Sequence, residues 1–136
     1  MTLIADVITA IQDIVTGISG IREAPAEPPE ELSVFPFAVC YPGTGEFEEK
    51  TAGCMVGEHI IRLEIHVARK YLRTDYLSVI DYVETIPMAL LNNKTLNATV
   101  DINERIRYSF ESLGWNGMET IGWRFEIACR TRTALT

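Results

Sequence analysis

From Glu58 to Arg69 the chain alternates with a period of two. Ile61, Leu63, Ile65 and Val67 fall on one side; Arg62, Glu64 and His66 fall on the other. Successive side chains of an extended strand point to opposite faces, so this run predicts a strand with one buried and one charged face. The pattern returns between Thr120 and Thr131, where Ile121, Trp123, Phe125, Ile127 and Cys129 alternate with Arg124, Glu126 and Arg130. Strands that are apolar on one side only need neighbours in a sheet and a layer packed over that side.

Two shorter runs supply the neighbours. In Phe35-Pro-Phe-Ala-Val-Cys-Tyr-Pro42, Phe37, Val39 and Tyr41 point one way and Ala38 and Cys40 the other, with prolines at both ends where pairing stops. In Thr99–Phe110, the residues Val100, Ile102, Ile106, Tyr108 and Phe110 keep phase, and Glu104 interrupts them, which predicts a bulge or a partner contact. Leu113 to Glu119, with Gly114 and Gly117, reads as the turn into the last strand. The covering layer is helical. Ile4, Val7, Ile8, Ile11, Ile14, Val15 and Ile18 recur at the 3.6-residue period and predict a helix over Leu3–Thr16, capped by Thr2, stopped by Gly17 or Gly20, with Asp6, Thr9, Gln12, Asp13 and Thr16 on its polar side. Tyr76, Val79, Ile80, Val83 and Ile86 predict a second helix over Thr74–Ile86, with Pro87 kinking it or opening a new turn through Leu91.

Between these elements, Glu23 to Glu31 is rich in proline and carboxylates and reads as an extended connector. Gly43 to Gly57 reads as a long loop carrying Glu46, Glu48 and Glu49, of the kind that is often functional. The order is α-β-β-α-β-β. It predicts an α+β fold: a largely antiparallel four-stranded sheet with two helices packed on one face, in a single domain over residues 1–136.

The bulk properties narrow the partners. A net charge of −7 disfavours phosphate backbones and anionic membranes as specific ligands. No apolar stretch reaches the ~20 residues needed to span a bilayer. Met1–Ile18 is amphipathic, carries Asp6 and Asp13 and has no basic start, so it reads as part of the fold and not as a targeting segment. Cys40, Cys54 and Cys129 are odd in number and widely spaced, which predicts free thiols in a reducing compartment.

The residues that could carry chemistry do not form a pattern. His59 and His66, the two histidines, sit at odd and even positions of one strand and face opposite sides, so they cannot share one metal. Cys40 and Cys129, expected near one another on adjacent strands, have no accompanying His or CxxC spacing and read as small buried hydrophobes. No Ser or Cys has a paired His and acid. Gly43-Thr-Gly-Glu-Phe-Glu-Glu-Lys-Thr51 resembles a phosphate loop superficially, but Glu49 stands before the lysine and three carboxylates would face the phosphates. Asn93-Lys-Thr95 and Asn97-Ala-Thr99 match glycosylation acceptors, which a chain read as having no signal peptide would not use. Trp115, Trp123, Tyr71 and Tyr76 lack interleaved basic residues, and Arg69, Lys70 and Arg73 read as a solvated basic connection. The sequence therefore assigns no catalytic, cofactor or metal residue and predicts a structural protein.

The order of elements and several phrases carry a resemblance. An amphipathic helix leads through a Pro-rich connector into Phe35-Pro-Phe-Ala-Val-Cys-Tyr-Pro42. A long strand ends in His66-Val-Ala-Arg69. A helix contains Ile86-Pro-Met-Ala-Leu-Leu91, followed by Lys94-Thr-Leu-Asn-Ala-Thr-Val-Asp101 and a closing strand, Trp123 to Arg130. In these the chain resembles, over nearly its whole length, the tail terminator (tail completion) proteins of long-tailed bacteriophages. It departs from them after Thr95-Leu96, where Asn97-Ala98 stand in place of expected glycines. The resemblance implies a homo-oligomeric ring, usually a hexamer, assembled in the host cytoplasm. That ring caps the tail tube protein in the virion, stops polymerisation and gives the head-tail neck (connector) protein a docking surface. DNA passes through without specific binding, and Glu46, Glu48 and Glu49 are candidates for an acidic lumen or tube contact. A ring needs two different matching surfaces on one subunit. The candidates are the charged sheet face (Arg62, Glu64, Arg124, Glu126), the exposed side of the second helix (Asp75, Asp81, Glu84), and open edge strands. Another connector or minor tail protein fits the same properties. From a different class, a small α+β enzyme or ligand-binding domain would need a cavity with convergent polar groups, for which Glu104 and a histidine are the marker.

Overall fold

The computed structural model describes residues 3–68 and 72–135; within the second helix, side chains are described at 77 and from 79 onward. The elements are α1 (Leu3–Thr16), β1 (Phe37–Thr51), β2 (Cys54–Val67), α2 (Leu72–Leu91), β3 (Ile102–Trp115) and β4 (Met118–Ala134). The strands form one antiparallel sheet in the order β1-β2-β4-β3, and the fold is α+β as the patterning requires. The proposed Thr2 cap, Tyr71 and the Arg69–Lys70 pair lie outside the described residues, as do the side chains of Arg73, Asp75 and Tyr76.

The two strictly alternating runs become the central pair. Ile61, Leu63 and Ile65 of β2 lie opposite Ile127, Phe125 and Trp123 of β4, and all six are buried. Each such side chain contributes roughly 1.5–3 kcal/mol when fully removed from water. Val7, Ile11 and Val15 of α1 and Val79, Ile86 and Leu90 of α2 close the layer over them. Trp123 also donates its indole N–H to the Val79 carbonyl at 2.7 Å, pinning α2 to the sheet. α2 runs through Pro87 to Leu91 without ending.

Three expectations are corrected. Gly43–Gly57 is not a loop: β1 and β2 continue as a hairpin whose turn is Ala52-Gly53, with Gly53 at φ +79°. Leu135 N–H reaches the Gly53 carbonyl at 2.7 Å, so the end of β4 fastens the tip. The run looked loop-like because Thr44–Thr51 is wholly exposed, and a pairing that buries nothing leaves no apolar alternation to read. Gln12, placed on the polar side of α1, is buried; its amide donates to the carbonyls of Pro25 (2.8 Å) and Ala38 (2.9 Å), tying helix, connector and sheet together. The turn expected over Leu113–Glu119 shrinks to Asn116-Gly117, both at positive φ, the two-residue geometry whose twist matches antiparallel strands.

Glu104 does mark a bulge: the β3–β4 register shifts between Asn103 and Arg105. Asn103 turns inward there and donates to the carbonyls of Leu90 and Asn93, both at 2.9 Å, satisfying the end of α2. The segment before it, Leu96-Asn97-Ala98, lies in the left-handed region at φ 46°, 58° and 65° without a glycine. Asn93 holds it, donating to Asn97 Oδ1 at 2.6 Å and accepting the Asn97 N–H at 3.0 Å.

Candidate functional site

The sheet face away from the helices is only partly the solvated charged face that alternation predicts. Residues 29–35 cross one end of it, and Leu32 packs with Phe37 and Val39 into a second small core bordered by Val34, Phe35, Tyr41 and Trp115. Trp115 donates to the Pro29 carbonyl at 2.7 Å and so fastens the connector across the face.

Beneath this cover lies a polar network. Glu64 is 2% exposed. Its Oε2 accepts the Tyr41 hydroxyl at 2.5 Å and Arg124 Nε at 3.0 Å, and its Oε1 lies 2.9 Å from His66 Nε2. An ionised carboxylate can only accept, so His66 Nε2 donates to it, and His66 Nδ1 lies 2.5 Å from the Thr120 hydroxyl. Arg124 turns its other nitrogen to Glu111 at 2.6 Å. Burial pushes the Glu64 carboxyl up, but hydrogen bonds from His66, Tyr41 and Arg124 outweigh it and hold the group below the usual carboxylate range. Burial and the bond to Glu64 raise the Tyr41 phenol to about 12. Both Glu64 oxygens are engaged by groups of the same chain, which suits a fastening of three strands better than proton transfer to a ligand.

An open cleft of about 350 Å³ is lined by Glu46, Glu58, His59, Glu104, Arg105 and Cys129, among others. It brings together Glu104 and a histidine, the marker set for an alternative chemistry. The groups are already occupied: Arg130 lies 2.8 Å from Glu104 and 3.8 Å from Glu58. His59 Nε2 meets Thr131 Oγ1 at 3.1 Å, and Phe47 stands edge-on to its ring with centroids 4.8 Å apart. Burial lowers the His59 pKa. Burial, with Glu104 adding, raises the Cys129 thiol to about 11; burial, with Cys129 adding, raises Cys40 to about 12. Neither supplies a thiolate nucleophile at neutral pH. β2 separates the strands carrying these two cysteines, against the expectation of adjacency. Among the described residues, no group of three or more His, Cys, Asp or Glu is placed to hold a metal ion, and no helix is long and apolar enough to cross a membrane.

The remaining candidates are scattered. Glu46, Glu48 and Glu49 stand exposed on the β1 arm, Glu48 beside Lys50 at 3.2 Å. Arg62 and Glu126 face each other at 3.7 Å, half exposed. Asp81 and Glu84 are exposed on α2; the Asp75 side chain lies outside the described residues. Glu64 leaves the candidate interface, since the network consumes it. Sequence reasoning missed that network. The Glu64-x-His66 spacing does put both side chains on one face, but the partners Tyr41, Thr120, Arg124 and Glu111 come from three other strands.

The chain matches no protein-family model, and no curated protein matches it.

Proposed function

We propose that this chain is a non-enzymatic structural subunit that forms a ring capping a bacteriophage tail tube, ending tube growth and offering the head-side neck a joining surface. One observation carries the self-assembling part. The converging polar groups are spent on internal fastening, whereas both outer strands of the sheet run long with open backbone edges beyond their first residues, and large apolar side chains stand exposed on β1, β3 and α2. Tyr108 on β3 is 60% exposed and Phe47 on β1 53%; on α2, Leu77 and Met88 stand at 79% and 61%. Long open edges with apolar neighbours are unfavourable in a solitary protein and useful in one that meets copies of itself. The tail assignment comes from the resemblance in element order and phrasing; the acidic arm at Glu46, Glu48 and Glu49 suits a channel past which phosphates slide. The ring would work in the virion tail.

Negative-stain electron microscopy of the purified protein, alone and with tail tubes, tests this. Rings, or tubes closed at one end, are expected. A protein that stays monomeric at high concentration and ignores tubes removes the reading.

The cleft beside His59 and Glu104 favours a second reading, a small ligand-binding domain. Shift perturbation of the His59 and Cys129 resonances by a small-molecule library, without any self-association, would favour it.

A further inference from the structure

We propose that β3 of one copy pairs edge to edge with β1 of a second copy, so that the four-stranded sheet continues from subunit to subunit. This rests on the self-assembling reading above and names its interface.

Both outer edges are free where the pairing would run. On the outer side of β1, backbone bonds occur at its start, Arg22 N–H to the Pro36 carbonyl and Ala38 N–H to the Glu23 carbonyl, both short. On the outer side of β3 the bond is again at the start, Asn103 N–H to the Lys94 carbonyl at 2.9 Å. Among the described residues, no other such bond leaves Val39–Thr51 or Arg105–Glu111 outward. Each edge therefore presents a row of unpaired N–H and C=O groups.

The directions match. Every neighbouring pair in β1-β2-β4-β3 is antiparallel, so β1 and β3 run in opposite senses. A second sheet laid beside the first in the same orientation brings its β1 antiparallel to β3, and the alternation continues unbroken.

The charges select this pairing over the others. On β3, Glu104 is held by Arg130 and Glu111 by Arg124, which leaves Arg105 and Arg107 exposed and, among the described residues, in no ion pair. On β1, Lys50 is spent on Glu48, and Glu46 and Glu49 stand exposed and unpaired in the same sense. Register places Glu46, with the Glu48–Lys50 pair beside it, on the same sheet face as Arg105 and Arg107, and Glu49 on the other face. Joining β1 to β1 would set the glutamates against themselves, and β3 to β3 the arginines; only the unlike edges attract. Charges that merely protected an edge from any pairing need not differ in sign between the two edges. An unlike-edge contact is heterologous, so repeating it closes a ring or extends a filament and cannot stop at a dimer.

The experiment is a charge swap read by sedimentation velocity. Glu46→Lys/Glu48→Lys makes both edges basic; Arg105→Glu/Arg107→Glu makes both acidic. Wild type is expected to assemble. Each double variant alone is expected to assemble at least about a hundredfold more weakly, because like charges then oppose. An equimolar mixture of the two regains assembly, since the basic edges of one meet the acidic edges of the other. A measurement free of substitutions runs beside it: amide exchange of wild type from low to high concentration, where protection should rise in 39–51 and 105–111. Wild-type assembly with undiminished variants, or natively folded variants that do not recombine, or protection rising elsewhere, overturns the edge assignment and leaves self-assembly standing. Monomeric wild type at every concentration overturns both.

Discussion

Glu64 and His66, two residues apart on β2, meet at 2.9 Å with both side chains buried, on the sheet face turned away from the helices. A strand places i and i+2 side by side, so the pair is local, but it stays dry only because the connector crosses above it. Replacing Glu64 by Gln removes the charge that Arg124, Tyr41 and His66 all address. Loss of one partner from a buried ionic cluster costs about 3–5 kcal/mol, and we expect Glu64→Gln to fall at the lower end of that range in chemical denaturation. The wild-type carboxyl titrates below its unfolded value, so its contribution is present above the ordinary carboxylate pKa and is lost as pH falls through the depressed one. The variant should lack that acid limb. A variant as stable as wild type would show the network to be ornamental.

Gly122 of β4 sits opposite His66, and a Cβ there would overlap the backbone carbonyl oxygen of Ile65. The atom in the way belongs to the central strand and cannot swing aside. Gly122→Ala should cost about 3 kcal/mol or more, the range for overpacking that moves backbone. Gly114→Ala is the control, since its nearest atom would lie 3.6 Å away. Its thermal midpoint should match wild type, and equal losses in both would remove the steric argument.

Ala98 holds φ 65° in the left-handed turn after α2. That conformation costs an L-residue about 1–2 kcal/mol, and glycine avoids it at some loss of unfolded-state order. Ala98→Gly should therefore stabilise the protein by about 0.5–1 kcal/mol. A decrease in denaturation midpoint would show the turn to be relaxed by its surroundings.

His59 is buried against Thr131 and Phe47, and burial disfavours its protonated form. Its folded pKa lies below the unfolded one, so stability is full above about pH 6.5 and falls as pH drops from there toward the folded value. His59→Gln, neutral throughout, should flatten the stability profile in that window while keeping a polar partner for Thr131. Parallel profiles for the two proteins would exclude His59 as the titrating group.

Much of this architecture was legible beforehand, for a local reason. Ile61, Leu63 and Ile65 on β2 and Trp123, Phe125 and Ile127 on β4 announce a half-buried strand wherever the chain places them, and the bounds of α1 follow from its apolar period. Glu104 announced its bulge by breaking phase. The hairpin arm was illegible because its residues are paired but not buried, and backbone pairing leaves no trace in side-chain polarity. Glu64 and Gln12 read as surface residues because a polar side chain is buried only when partners arrive to satisfy it, and those partners are distant in sequence.

The chain by itself therefore determined the element types, their order and which side of each strand is apolar, since these follow from periods of two and 3.6 acting over a few residues. Only the tertiary structure decided that the connector covers the second face, that Glu64 is dry, and that β1 and β3 are the outer strands with unlike charges on their edges. Those depend on which strand lies beside which, a matter of long-range packing that no local period encodes.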